Sequence, residues 1–102
     1  MEVCEEMRKL RAYLDAHGVK WKDRSEEMDK RIWFCRTHFC YHSHFWSVIN
    51  GTGTHGGIRI GTIENQGMLE IMLDGNFDVV EGFLTAKEVI GRIESLSEAD
   101  DA

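Results

Sequence analysis

Val3, Met7, Leu10 and Leu14 recur at spacings of four, three and four, which places them on one stripe of an α-helix. The spacing predicts a helix over residues 2–17. Glu2, Glu5 and Glu6 lie in its first turns, where the helix dipole favours anions, while His17 and Gly18 supply a C-terminal stop. The stripe is narrow, so this helix is expected to lie across a sheet or against a second helix. Val19-Lys-Trp-Lys22 then suits a short edge strand guarded by its lysines. Trp21 is expected to close over the core as a lid. The polar run from Asp23 to Asp29 reads as a turn or a short helix.

From residue 31 the period changes from helical to alternating. Residues 31–50 hold two of the three Trp, three of the five His and two of the three Cys. Aromatic and β-branched residues suit a pleated, half-buried surface. The stretch therefore reads as a hairpin of Arg31–Phe39 and His44–Asn50, closed by a loop at Cys40–Ser43. Residues 50–57 form a loop with four glycines in eight positions. Ile58–Ile63 reads as a third strand, Asn65-Gln-Gly67 as a turn and Met68–Leu73 as a fourth strand. On that strand Leu69, Ile71 and Leu73 share one face, and Met68, Glu70 and Met72 the other. Asp74-Gly75 signals a tight hairpin turn, followed by a fifth strand at Phe77–Phe83 with Val80 inward. Thr85-Ala-Lys-Glu88 is a capping box, flanked by Leu84 and Val89 at staple positions. It opens a helix over 86–96 whose apolar face is Val89, Ile90, Ile93 and Leu96. The acidic residues 98–102 are expected to form a disordered tail. This order predicts one α+β domain over residues 1–97: an N-terminal helix, an antiparallel meander sheet of about five strands, and a C-terminal helix, with both helices on one face.

A chain of 102 residues can bury a real core, and 42% hydrophobic with 29% charged residues is the make-up of a folded protein. No apolar run approaches the roughly 20 residues that span a bilayer, and the acidic start is unlike a secretory signal. The expectation is a cytoplasmic protein without membrane contact. Its cysteines, Cys4, Cys35 and Cys40, are then expected as reduced thiols. Cys35 and Cys40, five apart on one strand, would point to opposite faces.

The net charge of −6 is unevenly spread: residues 1–31 carry eight basic and eight acidic groups, and the remainder four and ten. This balance argues against direct nucleic-acid binding, which needs a surplus of Lys and Arg. It leaves an acidic surface able to dock on a basic patch of another protein.

Three constellations could carry chemistry. In an extended segment His38, Cys40, His42 and His44 form one row of metal-competent groups. The row runs through the hairpin turn, however, and neither a neighbouring carboxylate nor a Cys-x-x-Cys supports it. Polar residues at a hairpin tip are the plainer account, and no cofactor is expected. Gly51-Thr-Gly53-Thr-His-Gly56 matches G-x-G-x-x-G, but strand-like residues follow where a dinucleotide fold needs a helix. Such a loop can still offer backbone amides to a small anion or nucleotide, helped by Thr52, Thr54, His55 and Arg59; a plain inter-strand loop is the structural account. Cys35 and His38, three apart on a strand, point to opposite faces and make a poor nucleophile and base. Nothing in the chain requires an enzyme.

The aromatic hairpin is the third. Trp33, Phe34, Phe39, Tyr41, Phe45, Trp46, Val48 and Ile49 exceed what one face of two strands can bury. Some must lie on the far face, to be covered by the N-terminal helix, a second copy or a partner. Trp33, Tyr41, Phe45 and Trp46 are the candidate interaction surface, with a homodimer the expected cover.

The runs Leu10-Arg-Ala-Tyr-Leu-Asp-Ala-His-Gly-Val-Lys-Trp21, Arg36-Thr-His-Phe39, Trp46-Ser-Val-Ile-Asn-Gly-Thr-Gly-Thr-His-Gly-Gly57 and Gly82-Phe-Leu-Thr-Ala-Lys-Glu-Val-Ile90 cover most of the chain. In them it resembles small uncharacterised accessory proteins carried by phages and mobile elements of gut bacteria. The resemblance implies an accessory role exercised by binding, such as inhibiting bacterial immunity by blocking a nuclease or sequestering a signalling nucleotide. It brings no catalytic motif. The expectation is thus a non-enzymatic binding protein that docks on a host protein through an acidic or aromatic surface. The alternatives are an anion binder using loop 50–57 and a metal-dependent enzyme built on His38, His42 and His44.

Overall fold

The computed structural model describes residues 3–27, 33–51, 67–76 and 80–100. Helix α1 spans Glu5–Ala16, three residues shorter at its start than its apolar spacing suggests. Cys4 is its N-cap and makes no side-chain cap bond, so nothing holds the chain helical ahead of it. Its other end is a Schellman motif: Val19 N–H donates to the Leu14 carbonyl at 2.8 Å and Gly18 N–H to the Asp15 carbonyl at 3.1 Å. Gly18 takes φ +68°, the left-handed conformation that a side chain would strain. The motif folds Val19 back into the core beside Leu14.

Six strands follow among the described residues: β1 Trp21–Asp23, β2 Glu26–Glu27, β3 Trp33–Tyr41, β4 His44–Gly51, β5 Leu69–Leu73 and β6 Val80–Leu84. They form one antiparallel sheet in the order β1-β3-β4-β5-β6, with β2 paired to β3 as well. Helix α2, Ala86–Asp100, closes the chain. The α+β architecture is the expected one, a helix at each end of an antiparallel sheet.

Alternation sorts the sheet into two faces. Cys35, Thr37 and Phe39 of β3 lie opposite Asn50, Val48 and Trp46 of β4, and all six are buried. Trp46 and Val48 in turn face Leu73 and Ile71 of β5. Both helices pack on this face: Met7, Leu10 and Leu14 of α1 and Val89 and Ile93 of α2 join the same core cluster. Phe39 and Trp46 stack with ring centroids 6.0 Å apart and planes 4° from parallel. Asn50 Nδ2 donates to the Met68 carbonyl at 2.7 Å, pinning the start of β5 from inside the core.

The local details differ from the sequence reading in several places. The β3–β4 loop has two residues, not four, because Tyr41 pairs with His44. His42 and Ser43 take φ 50° and 64°, a type I′ turn without the Asn-Gly that advertises one. Asp74-Gly75 does make a tight turn, with Asn76 N–H donating to the Leu73 carbonyl at 3.0 Å. Yet the ladder resumes at Met72↔Val80, where a two-residue hairpin would have paired Met72 with Phe77. This register, rather than the expected one, sets Val80 on the face away from the core, 40% exposed. Finally, α2 runs to Asp100, past the last apolar turn at Leu96. The predicted strand 58–63, the start of the fifth strand at 77–79 and the last two residues of the acidic tail lie outside the described residues.

Candidate functional site

Among the described residues, the face of the sheet away from the helices is left open. Phe34, Arg36, His38 and Cys40 of β3 have the parity opposite to the buried residues, as do Phe45, Ser47 and Ile49 of β4. Between Arg36, His38, Phe45, Ile49, Met72 and Val80 runs a groove of about 630 Å³. Phe45 is 37% exposed, while Ile49 and Met72 are half-buried. His38 lines one edge of the groove. Its Nε2 lies 3.1 Å from the Ser47 hydroxyl, and its ring meets Phe45 edge-on at 5.1 Å. Burial holds the His38 pKa below its ordinary range, and the nearby Arg36 and Arg24 guanidinium groups add to the effect. Arg36 itself lies over the Phe34 ring at 4.7 Å.

A second concavity of about 650 Å³ opens between the α1–β1 connection and the tip of the β3–β4 hairpin. Its lining includes Lys20, Lys22 and Arg24 together with the rings of Tyr41, His42 and Phe45. The two concavities adjoin at His38 and Phe45.

The His and Cys row does not survive the turn as a row. His38 and Cys40 stay on the open face, His42 packs edge-on to Tyr41 at 3.8 Å, and His44 Nδ1 lies 2.8 Å from Asp74 Oδ2. Asp74 also accepts from the Phe45 amide at 2.8 Å, so its carboxylate fastens the start of β4 to the turn after β5. Among the described residues no three His, Cys, Asp or Glu side chains are placed to share a metal ion. The four do not converge because positive φ at His42 and Ser43 reverses the chain between them.

The aromatic set divides as well. Trp46, 1% exposed, belongs to the core and not to an interaction surface. Trp33 and Tyr41 are half-buried against the same core. Of the four candidates, Phe45 alone is exposed on the open face. Strand parity decides this: Trp33 and Tyr41 share the buried parity of β3, and Trp46 is the cross-strand partner of buried Phe39. Thr52, Thr54, His55 and Arg59 lie outside the described residues. The first glycine of their loop is described, and it belongs to β4. A side-chain carbon at Gly51 would come within 2.4 Å of the Trp33 carbonyl, so this glycine serves strand pairing rather than a phosphate cradle. Cys35 and His38 lie on opposite faces, as expected, and burial raises the pKa of the Cys35 thiol, which disfavours the thiolate a nucleophile needs. The three cysteines are free thiols, Cys35 buried and Cys40 exposed.

Two features were not singled out in the sequence. The cationic wall at Lys20, Lys22 and Arg24 was legible in its alternation, but those lysines read equally well as edge guards. Arg11 gave no signal beyond standing one turn after Met7. It reaches two other elements, β3 and β1: its Nε donates to Thr37 Oγ1 at 2.9 Å, its Nη2 lies 3.3 Å from Asp23, and its guanidinium covers the Trp21 ring at 4.5 Å. Comparison with protein-family models, with curated proteins and with solved structures finds no match to this chain.

Proposed function

We propose that the chain is a non-enzymatic binding protein, an accessory protein of phage or mobile-element origin, that docks on a larger host protein through the open face of its sheet. The resemblance in sequence supports the class. One observation carries the site: among the described residues both helices cover the same face, and the other keeps Phe45 and Val80 more than a third exposed around a groove floored by Ile49 and Met72. A contiguous apolar patch with a polar rim is the usual mark of a protein interface. Arg36 and His38 edge the groove, and Glu70 is the carboxylate among its described lining residues. The complementary surface is therefore apolar with acidic groups at its edge.

The test uses Val80→Asp, a change at an exposed position that leaves the core intact. Tagged parent and variant chains are expressed in a bacterial host, retained proteins are identified by mass spectrometry, and the molar mass of the purified chain is measured by light scattering. The expected result is a stoichiometric partner held by the parent and lost from a variant with an unchanged melting temperature. A folded variant that keeps every partner would sink the reading. So would a parent dimer that the substitution splits, since the face would then belong to self-association.

A further inference from the structure

We propose that the cleft between the α1–β1 connection and the β3–β4 hairpin tip binds a phosphorylated aromatic ligand of nucleoside-diphosphate size through Lys20, Lys22 and Arg24. This site adjoins the docking groove at His38 and Phe45 but is argued from different residues and does not rest on that reading. Alternation along β1 sends Trp21 and Asp23 to the helix side, where Arg11 engages both. Lys20, Lys22 and Arg24 go the other way; all three are exposed and line the cleft, and no carboxylate does so among the described residues. Among the described residues, other cations are matched: Lys9 pairs with Glu6, Arg11 with Asp23 and Arg92 with Glu81. A protein with a net charge of −6 has carboxylates in excess, and it places none in this lining. Arg24 and Arg36 are cross-strand neighbours, the Arg24 N–H donating to the Arg36 carbonyl at 2.8 Å. Clustering like charges across strands costs stability, a cost that an external anion would offset.

The dimensions select the anion. Residues two apart on a strand are about 6.6 Å apart, so the three cations span about 13 Å, more than one carboxylate or one phosphate needs. Lysine offers a point charge to phosphate and arginine a bidentate fork. The lining also holds the rings of Tyr41, His42 and Phe45, of which Phe45 is exposed on the open face and offers a surface for a base to stack on. A volume of about 650 Å³ suits a ligand of this size.

Isothermal titration with ADP, inorganic pyrophosphate and adenosine at fixed ionic strength tests the assignment. The expected order is ADP, then pyrophosphate, with adenosine silent, and a Kd for ADP at or below about 1 mM. Lys22→Ala with Arg24→Ala should weaken ADP by about tenfold or more, the loss expected for charge-assisted bonds. Lys22→Arg should retain binding. Both sites are exposed, and circular dichroism melting confirms that the variants fold. The His38 pKa, followed by NMR, should rise on adding ADP, because the anion offsets the field of Arg36 and Arg24. Failure of ADP to bind, equal affinity of parent and double variant, adenosine binding as well as ADP, or binding confined to oligonucleotides would each overturn the assignment.

Discussion

Trp46 and Phe45 are adjacent in sequence and opposite in fate. Trp46 stacks on Phe39 beneath the helices, and its indole N–H is buried without a hydrogen-bond partner among the described residues. Phe45 stands 37% exposed on the open face. Truncating the first removes packing and leaves a cavity, whereas truncating the second removes little that folding buried. Trp46→Ala should therefore cost about 3–5 kcal/mol, and Phe45→Ala less than about 1 kcal/mol. Chemical denaturation of the two variants beside the parent checks this. Comparable losses would mean that the parity of β4 is reversed. Spending an unpaired N–H in the core also shows that Trp46 is there for its area, since an unsatisfied donor is itself destabilising.

At the scale of elements, the two helices are fixed at their ends as much as by their stripes. Thr85 and Glu88 form the reciprocal capping box expected of their spacing: Glu88 N–H donates to Thr85 Oγ1 and Thr85 N–H to Glu88 Oε1, both at 3.2 Å. The next amide, on Ala86, donates to Glu6 Oε1 of α1 at 2.8 Å. Helix α1 thus caps helix α2 across 80 residues of sequence. Thr85→Ala removes one of these contacts and should cost about 1 kcal/mol. A denaturation midpoint indistinguishable from that of the parent would show that the Glu88 and Glu6 carboxylates suffice to start α2 without the Thr85 hydroxyl. Arg11 plays the same joining role between α1, β1 and β3, although it lies on no apolar stripe.

For the molecule as a whole, the titrating groups predict acid lability. A hydrogen bond from the Ser25 hydroxyl, with lesser help from Arg11, holds the Asp23 pKa low. His44 does so for Asp74, and Arg92 for Glu81. Burial pushes Glu6 upward, but the Ala86 amide and Lys9 outweigh it, so Glu6 also ends below its ordinary value. Each folded pKa lies below the unfolded one, so the unfolded chain takes up protons first as pH falls. The stability these groups carry is complete above their ordinary values of 3.8 and 4.5 and is lost as pH drops through the folded values. His38 has the same sign at higher pH: depressed by burial and its arginine neighbours, it begins to cost stability as pH falls below 6.5. The melting temperature should fall between pH 7 and about 3 in two stages. His38→Gln should remove the upper stage and leave the lower. A melting temperature that rises on acidification would contradict the charge arrangement described here.

Much of this was determined by the sequence alone, wherever a local rule acts without competition. The stripe of α1, its Gly18 stop, the Thr85 capping box, the opposed faces of Cys35 and Cys40 and the α+β order are consequences of period and of backbone chemistry within a few residues. The tertiary structure decided the rest. The parity of the hairpin depends on which face meets the helices, and both parities of residues 33–49 carry large side chains, so hydrophobicity does not choose between them. The position of Val80 depends on the register of β6 against β5, which the Asp74-Gly75 turn leaves open. The metal row failed because a two-residue turn formed at His42 and Ser43, residues that pay for left-handed backbone only when the strands on either side hold them there. The cationic cleft needs the α1–β1 connection and the hairpin tip brought together, two segments about twenty residues apart in the chain. Contacts between distant segments carry no local signature, because it is the packing of the whole core that brings them to one place.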